Sequence, residues 1–263
     1  MMKKTIITFF VTFFYLNNAH GSENLTVSVA SSLYNVSHEL AREWEKTSNK
    51  KVVIISGSTS LLARQIERGQ KSDVIITANY SWLKWMIDKN LIEKNSITKI
   101  AKNSLVFITG INKGIDLNIN SLNFRDNLIE QIRLSRFSIP HPSSVPLGIY
   151  SKQALISLGV WPLIQEKLVF TSSAQSNLKF ISQGEVNIGI SYLSDALLSP
   201  KVKILSNIDY RKIKYEQPTY WAAKINKNSK NIGLNFINWL ESRKAQNIIK
   251  NYGFESIYSE ENY

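Results

Sequence analysis

From Leu25 onward, short runs rich in β-branched residues alternate with stretches of helical period, joined by short connections. No other feature limits the fold as much. A strand that reaches its neighbour through a helix re-enters the sheet in the same direction, so the alternation predicts an α/β fold with mainly parallel sheets. Strands are expected at 25–30, 52–55, 73–77, 104–109, 187–191 and 202–205, with another ending at Ile139 and an extended run over 217–225. Helices are expected at 61–68, 81–89, 146–158, 174–182, 192–198 and 232–251. A further helix, after the first strand, carries Leu33, Val36, Leu40 and Trp44 on one apolar face, with Ser32 at its N-cap. The turn Ser56-Gly57-Ser58-Thr59-Ser60 opens the next helix, which Gly69 ends.

At 263 residues the chain is long enough for one large domain or two smaller ones. No Gly/Ser linker, repeat or low-complexity tract divides it. Two domains would therefore be crossed by ordered strands, with 104–109 and 217–225 as the candidate crossings. Cysteine is absent, which excludes disulfides, thiolate metal sites and a cysteine nucleophile. The three histidines, His20, His38 and His141, are too scattered for a His-rich metal site.

The N-terminus has the pattern of a secretory signal peptide: Lys3 and Lys4, an apolar run over 5–16, then Ala19-His20-Gly21. The run is too short to span a bilayer as a helix, and no later stretch is long enough. Residues 1–21 are thus expected to be removed. The mature chain would begin near Ser22, without a membrane anchor, in a bacterial periplasm. The formal charge of +12 is dispersed, and no nucleic-acid-binding motif accompanies it. It reads as a solvated basic surface that steers anions toward the protein. Binding to nucleic acid or anionic lipid through that surface is the competing reading, and it predicts steep salt dependence.

The sequence contains no GxSxG, HExxH, GxxxxGK[ST] or GxGxxG motif, so the expectation is a binding protein rather than an enzyme. A hydrolase with a catalytic set assembled from distant residues is the alternative. What the chain does carry is a set of strand-to-helix junctions rich in hydroxyls or tight turns. They are Ala30-Ser31-Ser32-Leu33, Gly57-Ser58-Thr59-Ser60-Leu61, Pro146-Leu147-Gly148-Ile149-Tyr150, Ser172-Ser173-Ala174-Gln175 and Gly189-Ile190-Ser191-Tyr192. Ligands of open α/β sheets bind outside the carboxyl ends of the strands. Helix N-termini there offer free N–H groups and the positive end of the dipole, a combination that binds anions without a formal charge. A hydroxyl can accept a bond from its own helix while donating its proton to a ligand. Ser and Thr are also the ordinary N-caps, so any single junction has a purely structural explanation.

These junctions resemble those of the periplasmic molybdate-binding proteins of ABC transporters. The likeness rests on Ser28-Val29-Ala30-Ser31-Ser32-Leu33 and on the run from Gly57 to Gly69, with Leu62-Ala63-Arg64-Gln65-Ile66-Glu67 inside it. It continues through Ser72-Asp73-Val74, Asn103-Ser104-Leu105-Val106, Val145-Pro146-Leu147-Gly148-Ile149-Tyr150, Gly189-Ile190-Ser191-Tyr192-Leu193-Ser194-Asp195-Ala196 and Tyr252-Gly253-Phe254. It spans nearly the whole mature chain in order.

The resemblance implies a two-lobed type II periplasmic binding fold, each lobe a mainly parallel sheet flanked by helices, joined by two crossing strands. Lobe I would comprise residues 22–106 and 217–263, and lobe II residues 107–216. It implies a tetrahedral oxyanion, molybdate or tungstate, held by neutral donors, with no cofactor and no direct protein–metal ligand. Sulfate is the alternative anion. Ser32 and Thr59 match the family's hydroxyl donors, Leu147 and Ala174 its backbone donors, and Tyr192 the phenol from the second lobe. Thr59 adds a methyl where the family has serine, Ser60 replaces glycine or serine, and Leu147 is bulkier than the usual alanine. Ser58 and Ser60 are therefore additional donor candidates. The implied partners are a membrane permease and its ATPase, served by a monomeric carrier.

Overall fold

A computed structural model describes residues 24–226 and 231–257. The expected signal segment lies outside the described residues. The chain runs β1 (Leu25–Ala30), α1 (Tyr34–Ser48), β2 (Val52–Gly57), α2 (Thr59–Glu67), β3 (Val74–Thr77), α3 (Tyr80–Asp88), β4 (Thr98–Lys102), β5 (Leu105–Gly110), α4 (Phe124–Ile132) and β6 (Phe137–Pro140). It continues α5 (Pro146–Ser157), α6 (Trp161–Ile164), β7 (Leu168–Thr171), α7 (Ala174–Ser182), β8 (Ile188–Tyr192), α8 (Leu193–Leu198), β9 (Val202–Ile208), β10 (Thr219–Lys224), α9 (Ile232–Leu240) and α10 (Arg243–Asn251).

The strands form two sheets of five, in the orders β2-β1-β3-β10-β4 and β7-β6-β8-β5-β9. In the first, β2, β1 and β3 are parallel and β10 runs against both β3 and β4. In the second, β7, β6 and β8 are parallel and β5 runs against both β8 and β9. The sheets are mainly parallel, as the alternation predicts, and each carries one reversed strand in the same place. That strand is in each case the first one after the chain has come over from the other sheet. Central strands such as β3 and β8 are buried along their whole length, as fits sheets covered by helices on both faces. β2 is an edge strand and is only half-buried, not the buried strand its apolar run suggests.

Each sheet has apolar cores on its two faces. Leu25, Val27, Leu40, Trp44, Phe236 and Leu240 lie on one face of the first sheet, and Leu62, Ile75, Leu83 and Met86 on the other. Phe107, Leu128, Phe137, Tyr150 and Ile188 fill one face of the second, and Val106, Ile108 and Ile181 the other. Local chemistry sets the helix boundaries. The expected helix over 232–251 is two helices, because Ser242 turns extended and its hydroxyl accepts the Ala245 N–H to cap α10. Ser32 is not an N-cap: it lies inside a single 3₁₀ turn, Ser31–Leu33, that precedes α1. β4, α4, α6 and β7 fall where no element was expected.

The chain passes between sheets twice. β5 pairs along its whole length in the second sheet, so the first passage is Asn103 and Ser104, and β5 itself does not cross. The second passage is the stretch over 209–218, before β10. The two passages touch, the Asn103 N–H donating to the Pro218 carbonyl at 2.8 Å. Among the described residues no helix is long and apolar enough to cross a membrane, and no cluster of His, Asp and Glu could hold a metal ion.

Candidate functional site

The carboxyl ends of the strands of both sheets face a shared pocket, a narrow cleft whose atom-free space of about 190 Å³ includes solvent at its mouth. From the first-sheet side come Ala30 at the end of β1 with Ser31 and Ser32 after it, Ser58 and Thr59 after β2, and Ala78 after β3. From the second-sheet side come Val145, Pro146 and Leu147 at the start of α5, Ala174 at the start of α7, and Tyr192 at the end of β8. All five residues singled out from the sequence, Ser32, Thr59, Leu147, Ala174 and Tyr192, are thus brought together. Of the two additional candidates, Ser58 lines the pocket and Ser60 does not. The Ser60 hydroxyl is instead bonded to that of Ser58 at 3.2 Å.

Three of the hydroxyls on the first-sheet side, those of Ser32, Ser58 and Thr59, already have their oxygens engaged. Thr59 Oγ1 accepts the Ala78 N–H at 3.1 Å, which leaves its own proton free to donate. Ser58 caps α2, accepting the Leu61 N–H. Ser32 Oγ lies 2.9 Å from the Tyr220 hydroxyl. The second-sheet side works differently. In α5 the first backbone bond is Ile149 N–H to Val145 O, and Pro146 has no N–H, so the Leu147 N–H stands ahead of the helical ladder. The Leu147 side chain points into the apolar core, only 1% exposed, so its bulk does not fill the pocket. Gly148 makes this placement possible: a Cβ there would meet the Pro140 carbonyl oxygen at 2.3 Å. In α7 the Ser173–Ser176 capping box satisfies neighbouring donors, while the Ala174 N–H precedes the first ladder bond, Asn177 N–H to Ser173 O.

Tyr192 is buried, and its hydroxyl makes no well-formed hydrogen bond among the described residues, although the Tyr220 hydroxyl lies close enough to interact with it. Burial pushes its phenol well above the ordinary value, so it is a proton donor at physiological pH. A buried hydroxyl left unsatisfied costs about 1–3 kcal/mol, which argues for a ligand at that atom. Among the described residues no charged side chain lines the pocket. The nearby carboxyl of Asp195 is buried behind it, one oxygen accepting the Gln175 amide at 2.9 Å and the other without a partner. Burial pushes its pKa up to about 8. The chemistry offered is therefore neutral hydroxyl and N–H donors with two helix dipoles behind them, a site for an anion.

Two bonds close the seam between the sheets near the pocket. Trp82 Nε1 donates to the Ser144 carbonyl at 2.7 Å, and the Tyr150 hydroxyl to the Ala78 carbonyl at 3.2 Å. Sequence reasoning missed Tyr220, Trp82, Tyr150 and Ala78, whose partners are distant in the chain. Ser31 was legible in the same junction as Ser32 and was not singled out.

Comparison with known proteins gives concordant likenesses. Residues 25–255 match the family described as bacterial extracellular solute-binding protein. The chain is 30% identical over 248 residues to the molybdate-binding protein ModA of Escherichia coli (strain K12), covering 93% of this chain and 94% of that protein. It is 28% identical over 238 residues to ModA of Haemophilus influenzae, covering 89% and 91%. The periplasmic molybdate-binding protein of Azotobacter vinelandii superposes with a TM-score of 0.75 at 21% identity, over 88% of this chain and 98% of that one.

Proposed function

We propose, because this chain belongs to the bacterial extracellular solute-binding protein family, that its pocket captures molybdate or tungstate for an ABC transporter. The family is one of binding proteins, not enzymes. The observation that carries the anion reading is a pocket lined from both sheets by neutral donors, the buried Tyr192 hydroxyl among them. Molybdate comes from the relatives, two of which are molybdate-binding proteins matched over about nine-tenths of their length.

In this reading Ser32 and Thr59 donate hydroxyl protons, Leu147 and Ala174 donate N–H groups from the helix starts, and Tyr192 donates its phenol. The two sheets are the cores of two lobes that meet at the passages 103–104 and 209–218, and the anion draws them together by contacting both. A donor-only pocket rejects hydrogen phosphate near neutral pH, because its proton finds no acceptor, at about 1–3 kcal/mol. Molybdate, tungstate and sulfate carry no such proton. The chain acts as a monomer in the periplasm, exported by its N-terminal segment, and hands the anion to a permease driven by a separate ATPase.

The test is thermal unfolding of the ligand-stripped protein with molybdate, tungstate, sulfate and phosphate. A ligand at 100 times its Kd adds about 2.7 kcal/mol, and each kcal/mol moves the midpoint by roughly 2–4 °C at this size. Molybdate and tungstate should raise the midpoint by several degrees and phosphate should not. A response to sulfate alone changes the substrate, and no response to any of the four overturns the oxyanion reading.

A further inference from the structure

We propose that Tyr220, itself held by Asn103, fixes the direction of the Ser32 hydroxyl proton, and so is a positioning residue for discrimination between unprotonated and protonated oxyanions. The inference rests on the oxyanion reading of the pocket. Tyr220 does not line the pocket; it stands on β10 behind Ser32, fully buried.

The direction follows from a hydrogen-bond chain whose first member cannot be turned around. Asn103, buried at the first passage between the sheets, uses every polar atom of its side chain. Its Oδ1 accepts the N–H groups of Ser104 at 2.9 Å and Ser194 at 3.5 Å. Its Nδ2 donates to Ser194 Oγ at 2.9 Å and to the Tyr220 oxygen at 3.3 Å. Exchanging the amide oxygen and nitrogen would face NH₂ against two backbone donors, so the orientation is settled by its partners. The Tyr220 oxygen is therefore an acceptor toward Asn103, and its own proton needs a different partner. Two hydroxyl oxygens are near: Ser32 Oγ at 2.9 Å, and that of Tyr192, which makes no well-formed bond, so Ser32 is the acceptor in good geometry. Were Ser32 to donate instead, the buried Tyr220 proton would lose that acceptor.

Having accepted from Tyr220, Ser32 turns its own proton to the pocket. Thr59 reaches the same state by another route, its oxygen occupied by the Ala78 N–H. Ser32 and Thr59 then both meet the anion as donors. Molybdate and hydrogen phosphate carry the same charge near neutral pH, so what separates them at Ser32 is whether an acceptor exists for one extra proton. Tyr220→Phe keeps the ring packed on Phe254 and removes only the hydroxyl. The Ser32 hydroxyl is then free to rotate and accept, and the barrier to a protonated anion falls.

The experiment is titration calorimetry with molybdate and with inorganic phosphate at one pH near 7.5. Wild type, Tyr220→Phe, Ser32→Ala and the double variant are compared, each first shown folded by its melting curve. The ratio of molybdate to phosphate affinity should fall about tenfold or more in Tyr220→Phe. Against a Ser32→Ala background the same change should leave the ratio where it was, since no hydroxyl remains to be aimed. Asn103→Asp, which replaces the donor to Tyr220 by an acceptor, should shift the ratio in the same direction as Tyr220→Phe. A wild-type ratio in Tyr220→Phe overturns the inference, as does an equal shift in the Ser32→Ala background, which would mark general loosening. Wild-type protein that binds neither anion overturns the oxyanion reading instead, and the inference with it.

Discussion

The two halves of the molecule face the same pocket with different chemistry. The half built on the first sheet offers side chains, Ser31, Ser32, Ser58 and Thr59. The half built on the second offers helix-start backbone at Leu147 and Ala174 and a single phenol, Tyr192. A hydroxyl rotates, so the first half needs further bonds to hold its protons in place: Ala78 N–H on Thr59 and Tyr220 behind Ser32. A backbone N–H is aimed by the helix itself, so the second half needs only a close approach, which Gly148 permits. The lesson is that donors made of side chain can be lost by substitution, whereas donors made of backbone are lost only if the helix moves.

The sharpest way to break the contrast is to delete the first half's donors. Ser32→Ala with Thr59→Val removes two bonds to an anion, each about 1.5–3 kcal/mol, so molybdate affinity should fall about 10²–10⁴-fold in a calorimetric titration. Unchanged affinity would contradict the assignment of both residues. The complementary change in the second half should do the opposite. Leu147→Ala removes a buried core side chain and should cost about 2–5 kcal/mol of stability in denaturant unfolding. Affinity of the folded fraction should stay at the wild-type value, because the N–H is untouched.

A third change probes the charge behind the second half. Asp195 has a folded pKa of about 8 against an ordinary value of 3.8. Between those values the folded chain keeps a proton that the unfolded chain has lost. Stability therefore falls as pH rises through that window, by up to about 1.4 kcal/mol per pH unit, and levels off above it. Asp195→Asn should match wild type near pH 4 and melt higher than wild type at pH 8. Parallel melting curves across the window would show that the carboxyl ionises freely in the fold. The smallest effect is expected at the seam. Trp82→Phe removes the bond to the Ser144 carbonyl, worth about 0.5–1.5 kcal/mol, and should speed molybdate release about 2–10-fold in stopped flow.

The same contrast decides what could be read from the sequence. Strand-to-helix alternation is local, and it led to an α/β fold with mainly parallel strand order, whereas the division into two sheets came from the family resemblance. Hydroxyls at junctions are visible as residue types, so Ser32, Ser58 and Thr59 stood out, although the 3₁₀ turn at Ser31–Leu33 makes Ser32 something other than a cap. Leu147 and Ala174 say nothing by side chain, and only resemblance to a family pointed to them. The Ser32–Tyr220 contact joins positions 188 residues apart, and Trp82–Ser144 joins positions 62 apart, so no local pattern announces either. Ser60 was set beside Ser58 because it departs from the family's pattern there. Helical geometry turned its hydroxyl toward Ser58 and away from the pocket lining.

The order in which the strands come also governs how the molecule assembles. The second sheet is drawn from one unbroken stretch, β5 to β9. The first waits for β10, α9 and α10, whose Tyr220, Phe236 and Leu240 complete its core, and these emerge after everything else. Until then β3 and β4 have no strand between them, and closing that gap spans the whole intervening half, an entropic cost that slows folding. A nascent chain thus keeps its first half open until its C-terminal segment is free.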